Sequence, residues 1–533
     1  MPMHVGSLNV LDLPQGYSGD FFEDVKTNLQ QRMHLADIFT RKLVLMPFDL
    51  SNPVWVEDED IDLDYHIRHV SLPKPGTNRQ LQQYVARLHS SLLDRSRPMW
   101  EFFVIDGLQS GQVALYTKVH HAGIDGQAGV AVAKAMFDVT ATGRVIKPPR
   151  PRARSNQYQM GIAELLGAAL RNTWQQTTGL VKALPLIARS ARSVLVPKKD
   201  ANGRRDWSLP KDFTLFAPRT SLNTAITNQR TFAGRTVPLA EVKQIAKLLG
   251  VSVNDVVMAT TAGGMRTFLA ESNGLPDKPL LAAVPVSLRA EGDTSANNQV
   301  SMVTMNLATD IKDRSQRIRK IHELSANTKA QMGLYKAAIP TDFPLPLAPW
   351  LMSAVASLFS RSRLANAMPP IANVVISNVA GIPVQLYFAG AKVVSYYPVS
   401  IVVHGMALNV TVQSYNGRLD YGLIGCRRAL PDINDLADAL LTEHRKLLEL
   451  ALAQAPAPEA ATATAAPVQP VAPAVAAVAA GKKTGVAMPA KATKPAPRAK
   501  APTPAKTAKP MLRLAASSGK PARKKAARLA VVA

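Results

Sequence analysis

Residues 112–128 read QVALYTKVHHAGIDGQA. Val113, Leu115, Thr117 and Val119 alternate with Ala114, Tyr116 and Lys118, the period-two pattern of a β-strand. The strand runs into His120-His121 and a turn, Ala122-Gly123-Ile124-Asp125-Gly126. A helical pattern follows, with Val130, Ala133, Met136 and Phe137 on one face. A histidine pair therefore stands where a buried strand emerges, with a carboxylate and a glycine four and five residues after His121. Imidazole titrates near neutral pH, so its neutral form can take a proton from a hydroxyl or thiol. Gly126 has no Cβ and permits a tight turn or close approach of a substrate. The plainer reading is that the histidines close a strand and Asp125 caps the next helix.

The spacing HHAGIDG, His120 to Gly126, matches HHxxxDG and so resembles the signature of the coenzyme-A-dependent acyltransferase superfamily. That superfamily includes chloramphenicol acetyltransferase, carnitine acyltransferases and peptide-synthetase condensation domains. The flanks are more specific. SRPMWEFFVIDGL before the pair and TKVHHAGIDGQAG through it resemble the bacterial wax ester synthase/diacylglycerol acyltransferase family, and further matches extend over nearly all of residues 1–452.

Composition frames this resemblance. At 533 residues the chain suggests two or three domains, and 47% apolar residues suffice for sizeable cores. One cysteine, Cys426, excludes an intrachain disulfide and fits a reducing compartment. The N-terminus shows no secretory pattern, and no run of 18 apolar residues argues for a transmembrane helix. The formal charge of +25 is unevenly placed. Residues 144–219 hold 15 Lys/Arg against four Asp/Glu, and residues 455–533 hold 14 against one, leaving the remaining body near neutral.

Moving outward, MHVGSLNVLDL reads as a strand and resembles the family's MHVGGL-type start. Relatives carry a helical segment ahead of it, so the start lies upstream or this member lacks that element. Residues 54–72 are acidic and then β-rich. His66 and His69, three apart on a strand, point to opposite faces, and no metal site is expected. Residues 79–95 have helical spacing, with Leu81, Val85, Leu88 and Leu92 as the stripe. Pro98-Met99-Trp100-Glu101 resembles the family's PLWE, with Trp100 as core or acyl-tunnel wall. Segments 100–106 and 112–119 read as a hairpin delivering the histidines.

From Arg144 a Pro/Arg-rich linker opens a basic connector, 144–219. Within it, residues 160–195 form an amphipathic helical pattern suited to an anionic lipid surface or to bracing two domains. A second domain, 220–452, starts near Thr220. Val237–Leu249 reads as a helix, and Ser252-Val253-Asn254-Asp255 opens another. Asn254-Asp255 corresponds to the family's ND motif, with a helix cap as the structural alternative to catalysis. Leu280–Leu288 reads as a buried strand ending at Arg289. The resemblance implies that Arg289 braces Asp125, and it carries Asn298 and Gln299 over from a GNQxS stretch in which Asn297 replaces glycine. Residues 344–359 are apolar and suit a tunnel mouth, a dip into lipid or core packing. Ile371–Pro383 contains Ser377 and Asn378, readable as oxyanion donors or as a structural turn. His404 matches a family histidine and reads as pocket lining, and Asn416-Gly417 as a hairpin turn. A last helix spans 431–452. Beyond 453 the Ala/Pro/Lys-rich composition reads as a disordered tail, 453–533.

The resemblance implies an α/β fold of two chloramphenicol-acetyltransferase-like domains, the first 1–143, with a tunnel at their interface. It implies an acyl-CoA:alcohol O-acyltransferase making triacylglycerol or wax ester. His121 would deprotonate the acceptor, His120 would support it, and Asp125 and Gly126 would hold the loop. No metal or redox cofactor is implied; acyl-CoA is the substrate. The implied setting is cytoplasmic, peripheral on the inner membrane face or lipid inclusions. The basic tail suits anionic partners, nucleic acid included. Two alternatives stand: a condensation-type catalyst with another acyl acceptor, and a non-catalytic inclusion- or DNA-associating protein.

Overall fold

The alternation in residues 113–120 is realised as an inner strand of a six-stranded sheet. The structure, a computed structural model, describes residues 2–45, 53–124, 126–148, 167, 198–199, 205–206, 216–287, 300–336 and 368–454. Asp125, Arg289, Asn297, Asn298 and Gln299 lie outside the described residues, as do residues 160–195 (Gly167 apart), 344–359 and 455–533.

The chain opens with β1 (His4–Asp12), α1 (Phe21–Gln30), β2 (Arg41–Val44), β3 (Val54–Glu57), α2 (Leu63–His66) and β4 (Ile67–Ser71). It continues through α3 (Asn78–Ser90), β5 (Trp100–Asp106), β6 (Val113–His120) and α4 (Gly126–Met136). Then come β7 (Lys198–Lys199), β8 (Arg205–Asp206), β9 (Arg230–Pro238), α5 (Leu239–Leu249), α6 (Val253–Glu271), β10 (Leu281–Ser287) and β11 (Val300–Asn306). The last part holds α7 (Arg314–Lys336), β12 (Val374–Val379), β13 (Tyr387–Phe388), β14 (Ala391–Val399), β15 (Leu408–Tyr415), β16 (Arg418–Cys426) and α8 (Ile433–Ala453).

Two six-stranded mixed sheets carry the fold, in the orders β13-β14-β1-β6-β5-β4 and β11-β10-β12-β15-β16-β9. The architecture is α/β, as expected. Its sheets do not follow the division at residue 220: β13 and β14 come from the later part of the chain yet complete the first sheet, β14 pairing with β1 along its length. The described residues accordingly fall in one compact unit.

Local signals account for much of this. β1 lies so close to β6 that a Cβ on Gly6 would stand 1.7 Å from the Thr117 carbonyl oxygen. Asn416 and Gly417, both at positive φ, make the two-residue turn between β15 and β16. Ser252 caps α6 and closes a capping box with Asp255. The second sheet is covered by α5, α6 and α8, whose apolar faces share a core with Val374, Val410 and Leu423.

Two expectations change, and of the two readings of Trp100 the core one holds. The α3 stripe ends with the helix at Ser90, and Leu92 is exposed. His66 and His69 do not share a strand: His66 ends α2 and is buried, whereas His69 lies on β4 and contacts Asp106 at 2.7 Å. Trp100 is wholly core, stacked on His66 at 4.3 Å, its indole N–H donating to the Phe39 carbonyl at 3.2 Å.

Candidate active site

The end of β6 is pinned on both sides. The backbone N–H of His120 donates to Met99 O at 3.0 Å, and that of His121 to Met3 O at 2.8 Å. The period-two alternation then separates the pair. Thr117, Val119 and His121 line a cavity of about 710 Å³ between the two sheets. His120 does not line it; its Nδ1 accepts from the Ala122 N–H at 3.1 Å and so closes the turn. Burial, then the charge of Arg95 and the neighbouring His121, lowers its pKa, leaving a neutral ring that stays an acceptor. Among the described residues, His121 makes no side-chain hydrogen bond, and its ring faces the cavity. The side chains of Asp125, Gly126 and Val130 are outside the described ones, although the backbone of Gly126 begins α4.

The facing wall comes from the second sheet. Val375, Ser377 and Val379 of β12 and Asn409, Thr411 and Gln413 of β15 line the same cavity, with Asn378 at its edge. Ser377 is half-buried and Asn378 exposed. Asn378 Nδ2 donates to Asn254 Oδ1 at 3.3 Å, which brings two of the singled-out motifs together. Asp255 takes no part in the cavity. It is buried, accepting from Ser252 N at 2.9 Å and from His322 Nδ1 at 2.7 Å. Burial alone would raise its carboxyl; the hydrogen bonds outweigh it and hold the group below its ordinary pKa. His404 is likewise not among the cavity-lining residues, although Val403 and Met406 are. Its Nδ1 accepts from Ile226 N at 3.2 Å, and burial lowers its pKa.

Residues 1–257 match the wax ester synthase/diacylglycerol acyltransferase catalytic domain, and residues 296–447 match the WS/DGAT C-terminal domain. A putative diacylglycerol O-acyltransferase of Mycobacterium tuberculosis is 36% identical over 449 residues, 84% of this chain and 95% of that protein. The chain belongs to the wax ester synthase/diacylglycerol acyltransferase family. The O-acyltransferase WSD of Acinetobacter baylyi is 33% identical over 83% of this chain and 92% of that protein. The solved wax ester synthase/diacylglycerol acyltransferase of Marinobacter aquaeolei VT8 is 33% identical, with a TM-score of 0.60 over 84% of this chain and 95% of that one. This family member is an acyltransferase.

Behind the acyltransferase's histidine pair lies a polar layer that sequence reasoning missed. His89 Nδ1 accepts from the Tyr116 hydroxyl at 2.7 Å, and its Nε2–H donates to Ser400 O at 2.9 Å. His4 Nε2–H donates to His89 O at 2.7 Å. Lys118, fully buried, pairs with Glu101 at 2.9 Å, and burial lowers its pKa. Tyr116 and Lys118 were visible as the other face of β6, but nothing local signalled that α3 would meet them. A second cleft, of about 670 Å³, lies on this side of β1, lined by Leu8 and Val10 rather than by Val5 and Ser7.

Proposed function

We propose that the chain transfers the acyl group of an acyl-CoA to the hydroxyl of diacylglycerol or of a long-chain fatty alcohol. The observation that carries this reading is His121 facing a cavity enclosed by both sheets, in a chain whose relatives bear the corresponding names. In it, the His121 ring takes the acceptor's proton as the hydroxyl oxygen attacks the thioester carbonyl. The tetrahedral intermediate collapses, breaking the carbon–sulfur bond, and the CoA thiolate recovers the proton. Ser377, Asn378 or backbone amides are the candidate donors to the oxyanion. His120 positions its neighbour through the turn it caps. Asp125 and Arg289 hold the loop by likeness to the superfamily. The reaction calls for no metal or redox cofactor, since the thioester already activates the acyl group.

The test is radiolabelled transfer from palmitoyl-CoA to hexadecanol and to diolein, offered separately, by wild type and His121→Ala. Product from wild type and a near-baseline signal from a folded mutant is expected. Equal activity in the mutant removes the histidine mechanism, and silence of a folded wild type on both acceptors turns the reading toward another acyl acceptor.

The same reading places the protein at a lipid surface on the cytoplasmic side, with residues 160–195 as its anchor. Phe216, Met368 and Ile371 are exposed apolar side chains, which suits that setting. Among the described residues no single helix is long and apolar enough to cross a membrane. Flotation with anionic liposomes should be lost on deleting residues 160–195; unchanged flotation sinks the anchor. The tail, 14 Lys/Arg against one Asp/Glu, supplies a polyanion-binding segment. Salt-sensitive DNA retention by the full chain and its loss on truncation at 454 is the matching test.

A further inference from the structure

The 710 Å³ cavity has a direction that the strand registers define. His121 stands at one end of β6. Four residues back, Thr117 faces the cavity beside Ser7 of β1, its register partner. Two residues further, Leu115 is level with Asn9, which is level with Tyr396 of β14. The opposite wall runs the same way. Asn409 of β15 donates to Ser400 Oγ at 3.2 Å, near the histidine end, and β15 then passes Thr411 and Gln413 to Tyr415. Tyr396 and Tyr415 meet, with ring centroids 6.3 Å apart, and Phe137, just past α4, touches Tyr396 at 6.0 Å. Three rings therefore stand together across the end remote from His121. Tyr415 is held in place: its hydroxyl donates to Val393 O and accepts from Leu386 N, each at 3.0 Å.

Six strand residues separate the His121 level from this floor, about 20 Å at roughly 3.3 Å per residue. An extended alkyl chain advances about 1.25 Å per carbon, from bonds of roughly 1.5 Å in a zigzag. The walls suit such a chain. Phe102, Val119, Val132, Ala133 and Met136 are apolar, and several of the polar groups beside them bond one another within the walls. Ser7 and Thr117 bond each other at 2.9 Å, and Thr411 donates to Asn409 at 2.8 Å.

We propose that this arm holds the saturated chain of the acyl donor, and that Phe137, Tyr396 and Tyr415 stop it at about sixteen carbons. The inference rests on the acyl-CoA reading above and adds the residues that set its chain length. A long-chain acceptor carries the same chemistry, so donor and acceptor lengths are varied separately. Rates are measured with saturated acyl-CoAs of ten to twenty-two carbons against one acceptor, then with 1-alkanols of that range against one donor.

Wild type should lose at least about tenfold in rate once the donor exceeds roughly eighteen carbons. Phe137→Ala should move that limit outward. Ala133→Phe should move it inward by about five carbons, since Ala133 stands one helical turn, about 6 Å, nearer His121. Donor limits that shift in opposite directions with unchanged acceptor limits establish the arm as the donor's. Acceptor limits that shift instead, or no shift in either variant when folded, overturn the proposal. Phe137→Leu and Ala133→Leu repeat the test if the first pair fails to fold. If wild type transfers nothing, calorimetry with S-alkyl-CoA thioethers still decides. Affinity rising roughly fourfold per methylene to about sixteen carbons, then levelling, keeps the arm while the transfer reading falls. Affinity indifferent to length overturns the arm itself.

Discussion

Asn378 Nδ2 donates to Asn254 Oδ1, 3.3 Å away, tying the end of β12 to the first turn of α6. Adjacent residues of one motif thus serve different ends: Asn254 reaches toward the cavity edge, and Asp255 faces the helix it caps. Asn254→Ala should lower kcat/KM several-fold while changing stability by less than about 1 kcal/mol, because the lost bond is exposed and neutral. Kinetics alongside thermal unfolding checks the split.

Asp255→Ala should do the reverse. It removes a buried carboxylate that accepts from Ser252 N and from His322 Nδ1. A loss of about 2–3 kcal/mol is expected from the cap and the charged hydrogen bond together. Urea unfolding measures it, and the folded fraction should retain its specific activity.

The expected hierarchy within the histidine pair is steep. His121→Ala should cost about 10²–10⁴ in kcat, the usual worth of a general base. His120→Ala should cost far less, since that ring closes a turn and does not line the cavity. Single-turnover rates on folded mutants separate the two; equal losses would sink the assignment of distinct roles.

Acid should destabilise the fold through its buried histidines. Burial, then the charge of Lys118, pushes His4 down to about 3, and His89 is lowered well below its ordinary value by burial and then by His4. Both are neutral when folded. Unfolded, they bind protons below pH about 6.5, so stability present above that value is lost as pH falls toward the folded pKa. His4 alone accounts for about 2 kcal/mol by pH 5. Urea midpoints from pH 7 to 4 should fall, and His4→Gln should remove about one proton from the slope.

Glu101→Gln should cost about 3–5 kcal/mol, because it leaves the Lys118 ammonium buried without its carboxylate. Adding Lys118→Met should recover a large part of that loss. A double-mutant cycle on unfolding free energies tests this pair.

The sequence made visible what short-range physics controls. The alternation of Val113–Val119 specified β6 and which of its residues share a face. Ser252 with Asp255 announced a helix start, and Asn416-Gly417 a hairpin. Pairing between distant segments left no such trace. The residues of β14 alternate as a strand should, but nothing in AKVVSYYPV says that it joins β1 rather than β15. The aromatic floor draws Phe137, Tyr396 and Tyr415 from three parts of the chain, and the contact of His89 with Tyr116 depends on where α3 packs. The Leu92 stripe failed for a local reason, since the backbone turns extended at Ser91 and ends the helix one turn early.

The late arrival of β14 has a consequence for how the chain is made. β1, β6, β5 and β4 can pair once residue 120 has left the ribosome, but the β14 side of β1 stays open until residue 399 follows. At 5–20 residues per second that interval is roughly 15–55 s. Throughout it the nascent sheet presents an unpaired edge backed by apolar side chains, the template on which strands of neighbouring chains add. Slower translation past residue 120 lengthens the hazard, and the N-terminal 143 residues expressed alone would never escape it.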